Sequence, residues 1–137
     1  MQLKFLSVMV NNQDAALNFY IEVLGFVKMA DLTMGQSRWL TIISPDGIEG
    51  VELVLEPMDF QPTRVYQKAL LDAGIPALAL ITHDIQMDYK RLKEHGVLFR
   101  GEPKNMGLIS SVLFEDTCGN LINLVQPAAS PPIGQTN

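Results

Sequence analysis

The amino-acid sequence predicts an α+β fold: two βαβββ modules that form a cupped mixed β-sheet with helices on its outer face. Three observations lead to this prediction. A strand and helix pattern occurs twice along the chain, with an offset of about 70 residues between the copies. In each copy a helix-like stretch ends at a glycine and is followed by further apolar segments of strand length. Within the strands, residues of contrasting polarity alternate, which is typical of a sheet with one buried face.

The first module, about residues 1–57, contains four predicted strands. They cover residues 5–10, 26–31, 38–43 and 51–56. The helix after the first strand is expected to begin at a capping residue, Asn12 or Asp14, and to end at Gly25. Pro57 is expected to end the fourth strand.

The second module, about residues 75–127, repeats this order. Its predicted strands cover residues 77–81, 97–100, 110–115 and 121–126, and its helix runs from about Ile85 to Glu94. Segment 58–74 joins the modules and is expected to hold a short helix. Residues 1–127 are therefore predicted to form a single domain, and residues 128–137 a flexible tail, because the tail offers little that can pack.

Composition limits the class of protein. The chain has 137 residues, of which 47% are hydrophobic, enough for one domain with a real core. A net charge of −5 and a pI near 4.8 argue against nucleic acid or an anionic membrane as a partner. The single cysteine, Cys118, excludes an intrachain disulfide and a cysteine-built zinc site. The apolar run at residues 5–10 is too short for a membrane span and lacks the features of a signal peptide, so we expect a cytoplasmic protein.

Alternation along the strands indicates which side chains face a cavity. In the fourth strand, Leu53 and Leu55 share an apolar face, whereas Glu52 and Glu56 point the other way. We expect the apolar face to lie under the helices and the more mixed face to line a ligand cup. The residues predicted on the cup face of the first and last strands of the modules are Phe5, Ser7, Met9, Glu52, Val54, Glu56, Ala77, Ala79, Ile81, Leu121, Asn123 and Val125.

Several segments resemble those of the vicinal oxygen chelate superfamily, which includes glyoxalase I, bleomycin-resistance proteins, fosfomycin-resistance enzymes and extradiol dioxygenases. Residues 14–20 and 23–26 resemble its first helix, and residues 51–57 and 116–125 resemble its two strand-closing signatures. The resemblance covers nearly the whole chain before the tail. It implies two βαβββ modules, a cupped mixed sheet and, usually, a homodimer.

The superfamily's enzymes bind a divalent metal through four inward side chains, usually His or Gln, Glu, His and Glu. The resemblance aligns these positions with Phe5, Glu52, Ala77 and Asn123. Phe5 and Ala77 have no ligand atoms, and one carboxylate with one amide is fewer than the ligands that metal sites need. We therefore predict no metal and no other cofactor, and Glu52 remains the best candidate for a catalytic residue if there is one.

Three polar side chains are candidate ligand contacts. Glu52 can act as a general base or an anchor, and the alternative is a paired or hydrated carboxylate at the rim of the cup. Asn123 can bond a ligand, or it can satisfy neighbouring strand groups. Arg38 can hold a carboxylate in a bidentate manner, or it can lie in solvent.

Three apolar side chains are expected to supply contact area in the cup. Trp39 can stack on a planar ligand, although a core tryptophan is the alternative. Phe5 and Met9 lie on the predicted cup face of the first strand.

These observations favour a metal-independent protein that binds a small organic molecule in its cup. A metal-dependent lyase, isomerase or dioxygenase of the glyoxalase type is the alternative, with a divalent metal held by ligands that the alignment misses. A structural or partner-binding module without a ligand is a third possibility.

Overall fold

The computed structural model describes residues 1–128, which form eight strands and three α-helices. The predicted tail, residues 128–137, lies outside this part of the chain except for its first residue. The strands are β1 Phe5–Val10, β2 Val27–Met34, β3 Ser37–Ile43, β4 Glu52–Pro57, β5 Leu78–Ile81, β6 Lys104–Asn105, β7 Ile109–Glu115 and β8 Leu121–Pro127. The helices are α1 Gln13–Asn18, α2 Gln61–Asp72 and α3 Ile85–Glu94.

The strands form two four-stranded mixed sheets of the same design. The first has the order β1-β4-β3-β2 and the second the order β5-β8-β7-β6. In each sheet the first strand of the module pairs in parallel with its last strand, and the last pairs antiparallel with the strand before it. The prediction of an α+β fold with two βαβββ modules is thus confirmed, with the strands divided between two sheets.

Capping side chains begin the first helix of each module. The Asn12 side-chain oxygen accepts a hydrogen bond from the backbone N–H of Ala15 at 2.9 Å, so Asn12 rather than Asp14 is the cap of α1. Asp84 caps α3 in the same way through Met87, at 3.0 Å. A π-helical turn, Phe19–Val23, continues α1.

The two modules share one hydrophobic core. It joins side chains of both sheets and of α1, its π-helical turn and α3, and the aromatic rings of Phe19 and Phe114 lie 6.3 Å apart across it. Its fully buried members include Leu40 and Leu55 from the first sheet and Ile122 from the second. The surfaces of the two sheets that face away from the helices lie outside this core.

The strand predicted over residues 97–100 does not form. Phe99 makes only an isolated antiparallel bridge to Phe114. Gly101 follows with φ of +123°, and Pro103 has no N–H to donate, so pairing with β7 resumes only at Lys104. The prediction was wrong because a short apolar run does not reveal whether its neighbours allow continuous pairing.

The helix that joins the modules is longer than the predicted short helix. Gln67 is the only buried residue of the twelve in α2, whereas Val65 and Tyr66 are exposed. The Gln67 amide nitrogen lies 2.9 Å from the carbonyl oxygen of Met9 and 3.0 Å from that of Cys118, so a polar side chain attaches α2 to both modules. Within residues 1–128, no helix has the length and apolar character needed to cross a bilayer.

Candidate functional site

The open face of the first sheet is the face that the sequence predicts for the cup. Phe5 lies opposite Glu52 in the parallel pair of β1 and β4, and Met9 lies opposite Glu56. Thr41 of β3 lies opposite Val54. Because opposite residues project from the same side of a sheet, these side chains share one face. We call this surface the first open face; its other members are Ser7 and Trp39.

An aromatic pair occupies one end of the first open face. The rings of Phe5 and Trp39 meet edge to face, with centroids 5.3 Å apart and an interplanar angle of 79°. Phe5 is 46% exposed, and Trp39 and Met9 are half-buried. Trp39 therefore does not lie in the buried core, and this end of the sheet presents aromatic surface outward.

Glu52 lies beside this aromatic pair and has a partner on each carboxylate oxygen. The Thr41 hydroxyl donates to Oε1 at 2.7 Å, and the Lys4 ammonium lies 3.0 Å from Oε2. Glu52 is buried, with 8% of its surface exposed. The hydrogen bond from Thr41, followed by that from Lys4, lowers the pKa of Glu52 from its ordinary value of 4.5. The carboxylate is therefore ionised at neutral pH. Glu52 matches the second of the two interpretations of its role given above, a carboxylate that is paired with other groups of the protein.

Sequence reasoning missed Lys4. Lys4 immediately precedes β1, and alternation assigns it to the face opposite Phe5, away from Glu52. The structure brings the two together because the backbone N–H of Glu52 donates to the Lys4 carbonyl at 2.9 Å, and the long lysine side chain then reaches the carboxylate. One sequence signal could have indicated this contact. Lys4 is a flexible cation next to Phe5, and Phe5 is the strand residue that pairs with Glu52.

Arg38 lies elsewhere, in contrast to the expectation that it holds a ligand carboxylate. Its guanidinium donates to both carboxylate oxygens of Asp31, at 2.8 and 2.9 Å, and to Asp14 at 2.6 Å. The hydrogen bond from Arg38 is the main cause that lowers the pKa of Asp31 to about 2. Adjacent strand residues point to opposite faces, so Arg38 and Trp39 cannot both reach the first open face. Arg38 instead joins β2, β3 and α1.

In the second sheet, Asn123 is half-buried on the face opposite the core. It lies opposite Ala79 of β5 and Leu113 of β7. Ala77, the position that the resemblance aligns with the first ligand of the second module, precedes β5 and donates its backbone N–H to the carbonyl of Leu121 at 2.9 Å. In the parallel pair of the second sheet, Ala79 rather than Ala77 therefore lies opposite Asn123, whereas Phe5 lies directly opposite Glu52 in the first sheet. Asn123 also belongs to a different sheet from Glu52.

The four positions aligned with metal ligands do not fit a divalent ion. The side chains of Phe5 and Ala77 have no ligand atoms, and both oxygens of Glu52 are already engaged, so Asn123 alone cannot make up the ligand set. Elsewhere in residues 1–128, His, Cys, Asp and Glu side chains form no group of three or more that can hold a metal.

A buried polar cluster holds the backbone of β1, the strand that carries Phe5 and Met9 of the first open face. The Asn120 side-chain nitrogen donates to the Met9 carbonyl at 2.7 Å and to the Asp116 carboxylate at 2.8 Å. Asp116 also accepts hydrogen bonds from the Tyr20 hydroxyl and from the backbone N–H of Cys118, both at 2.8 Å. Burial raises the pKa of the Cys118 thiol to about 11, so it stays protonated at neutral pH. The predicted strands 110–115 and 121–126 leave these residues as a connection, and nothing in the sequence indicates that their side chains hold β1.

Comparison with known proteins agrees with this architecture. The family model of the glyoxalase/bleomycin resistance protein/dioxygenase superfamily matches residues 2–124. The uncharacterized protein YurT of Bacillus subtilis (strain 168) is 48% identical over 126 residues, which are 92% of this chain and 99% of YurT.

Two solved structures are similar as well. UcmS2 is 31% identical with a TM-score of 0.78, and the match covers 91% of this chain and 97% of UcmS2. TnmS3, an antibiotic binding protein from Streptomyces sp. CB03234, is 32% identical with a TM-score of 0.72, over 93% of this chain and 97% of TnmS3. The chain therefore belongs to the glyoxalase/bleomycin resistance protein/dioxygenase superfamily.

Proposed function

We propose that the protein is a metal-independent binding protein that holds a small, partly aromatic molecule against the first open face. The observation that carries the proposal is the outward-facing pair of Phe5 and Trp39 beside the engaged carboxylate of Glu52. Ligand sites commonly combine apolar and aromatic surface with a few placed polar groups, and this end of the face has both.

The energetics of this surface favour a bound molecule. Burying apolar area releases about 25 cal/mol per Å², so covering the exposed part of Phe5 and the half-buried Trp39 is favourable. The edge-to-face pair also restrains the orientation of both rings, which reduces the ordering cost of binding. TnmS3 is described as an antibiotic binding protein, and its similarity to this chain supports the same class of function.

A homodimer is part of the proposal. The second sheet also has an outward face, where Ile81 is 73% exposed next to Ala79 and Asn123. In a homodimer, the outward face of the second sheet of one copy would cover the first open face of the other copy. The ligand would then be enclosed from two sides. We further propose a cytoplasmic location, in line with the single cysteine, and no nucleic-acid partner, in line with the net charge of −5.

The test uses Trp39, which is the only tryptophan in the sequence and so reports directly on the site. Planar aromatic compounds are titrated while Trp39 fluorescence is followed, with and without EDTA. We expect saturable quenching that EDTA does not change and that Phe5→Ala weakens. Phe60→Ala is the matched control, since Phe60 is exposed in the segment before α2. Affinity that disappears with EDTA would contradict the proposal.

Metal analysis of the purified protein addresses the enzymatic alternative. Stoichiometric Zn, Ni, Mn or Fe that is lost in Glu52→Ala would favour a lyase, isomerase or dioxygenase. We expect no metal to depend on Glu52, because Thr41 and Lys4 already engage its oxygens.

A further inference from the structure

We propose that Lys4, rather than Glu52, contacts the polar group of the ligand, and that the ligand is an aromatic anion. This inference rests on the proposed function and adds the chemical class of the ligand. Glu52 then acts as a positioning residue that holds the Lys4 ammonium beside Phe5 and Trp39.

Exposure separates the roles of the two charged groups. The side chain of Glu52 is only 10% exposed, whereas that of Lys4 is 47% exposed. A molecule that arrives from solvent therefore meets the ammonium before the carboxylate. An ammonium has three N–H donors, and Glu52 takes one of them, so Lys4 can still donate to a carboxylate or phenolate of the ligand.

Glu52 is built to hold this ammonium in place. Thr41 occupies Oε1, which leaves Oε2 directed at Lys4. The backbone bond from Glu52 to the Lys4 carbonyl fixes the base of the lysine side chain beside β4. The Lys4 nitrogen also lies 5.8 Å from the ring centroid of Phe5, which keeps the charge next to the aromatic pair. An anionic group on a ring that contacts Trp39 would reach the same position.

A second carboxylate on the first open face, that of Glu56, does not reverse the preference for an anionic ligand. Glu56 lies four residues along β4 from Glu52, which corresponds to about 13 Å, beyond a Debye length of about 8 Å at physiological salt. It also accepts a hydrogen bond from the Ser7 hydroxyl at 3.3 Å. The field at the aromatic end of the face is therefore governed by Lys4 and its shielded partner Glu52.

The test compares three probes with the same ring system and different charge: 2-naphthoate, 2-naphthalenemethanol and 2-naphthylmethylammonium. Their affinities are measured by isothermal titration calorimetry at low salt, with the wild-type protein, Lys4→Met and Lys4→Arg. We expect the wild type to bind 2-naphthoate about tenfold more tightly than the ammonium probe. Lys4→Met should abolish this preference and weaken the alcohol, which can accept only a neutral-type hydrogen bond from Lys4, much less than 2-naphthoate, whereas Lys4→Arg should retain the preference. Circular dichroism melting confirms that each variant is folded.

Glu52→Gln tests the positioning role separately. If Glu52 acted only through its charge, its removal would strengthen the binding of 2-naphthoate. Because we infer that it holds the ammonium in place, we expect weaker binding instead, and tighter binding would overturn the positioning role.

Equal affinity for the three probes in the wild type, or a preference that persists in Lys4→Met, would overturn the role of Lys4. The proposed function would stand in that case, because the alcohol would still bind. If none of the three probes bound at all, the inference and the aromatic site would both be overturned.

Discussion

The hydroxyl of Tyr20 donates a hydrogen bond of 2.8 Å to the carboxylate of Asp116, and both residues are fully buried. Tyr20 lies in the π-helical turn after α1, and Asp116 begins the turn before β8. The bond therefore joins the two modules inside their shared core. A carboxyl group in such a place must be fully hydrogen-bonded, because an unsatisfied buried polar group costs free energy.

Tyr20→Phe should destabilise the protein by about 2 kcal/mol at neutral pH. The change removes the donor to one oxygen of Asp116 and leaves only the Asn120 side chain on that atom. Urea unfolding measures the effect. Tyr66→Phe is the control, because Tyr66 is exposed on α2, and it should change the stability by less than about 0.5 kcal/mol. Equal effects of the two substitutions would show that the buried bond contributes nothing.

The same bond predicts how stability changes in alkali. Burial and the Asp116 carboxylate raise the pKa of Tyr20 well above its ordinary value of 10.0. The protonated form is favoured in the folded state, so this stabilisation is complete below the unfolded value and is lost as the pH rises through the folded pKa. Between about pH 9 and 11 the wild type should lose stability more steeply than Tyr20→Phe. Parallel slopes in urea titrations over this range would contradict the prediction.

Gly119→Ala should be more damaging than Gly107→Ala. The two glycines have nearly the same positive φ, +95° and +93°, so the backbone strain of about 1 kcal/mol is matched. A Cβ at Gly119 would lie 2.6 Å from the side-chain oxygen of Gln67, whereas one at Gly107 would meet nothing within 4 Å. We expect Gly119→Ala to cost about 1–3 kcal/mol more in urea unfolding. Equal costs would mean that Gln67 moves aside freely and does not fix α2.

Thr41→Val should raise the pKa of Glu52, because Thr41 makes the largest contribution to lowering it. A lowered carboxyl pKa stabilises the fold above the unfolded value near 4.5, and this contribution is lost as the pH falls through the folded pKa. The variant should therefore be less stable at neutral pH, by about 1.5–3 kcal/mol, and the difference should shrink in acid. NMR titration of Glu52 together with urea unfolding measures both effects. Thr33→Val in exposed β2 is the control, and an unchanged Glu52 titration would refute the assignment.

Arg38→Met separates stability from ligand binding. The substitution removes the contacts of Arg38 with Asp14 and Asp31, so the pKa of Asp31 should rise from about 2 toward its ordinary 3.8. The ion pair stabilises the fold above the unfolded value and loses this effect as the pH falls through about 2, so the loss of stability in the variant should be confined to higher pH. Binding of 2-naphthoate should not change, since the guanidinium lies away from the first open face. Weaker binding of 2-naphthoate by the variant would show that Arg38 contributes to the ligand site.

The order of the elements could be predicted because its signals are local. Alternating polarity, capping residues such as Asn12 and helix-ending glycines act over a few residues, and the structure reproduces the predicted order of strands and helices apart from residues 97–100. The face of Glu52 followed from the same alternation, and its register opposite Phe5 agrees with that assignment. For Arg38 the same rule was available: it lies next to Trp39 and so must point to the other side of β3.

The contacts of these residues could not be predicted, because each joins segments that are distant in sequence. Glu52 meets Lys4 and Thr41 only when β1, β3 and β4 lie side by side, and Tyr20 meets Asp116 across 96 positions. Whether a carboxylate is an open ligand or an engaged one depends on such partners, since they set its pKa and exposure. The sequence alone therefore determined the two-module architecture and the face that Glu52 occupies. Only the tertiary structure decided that Glu52 is shielded and that the Lys4 ammonium is exposed in front of it.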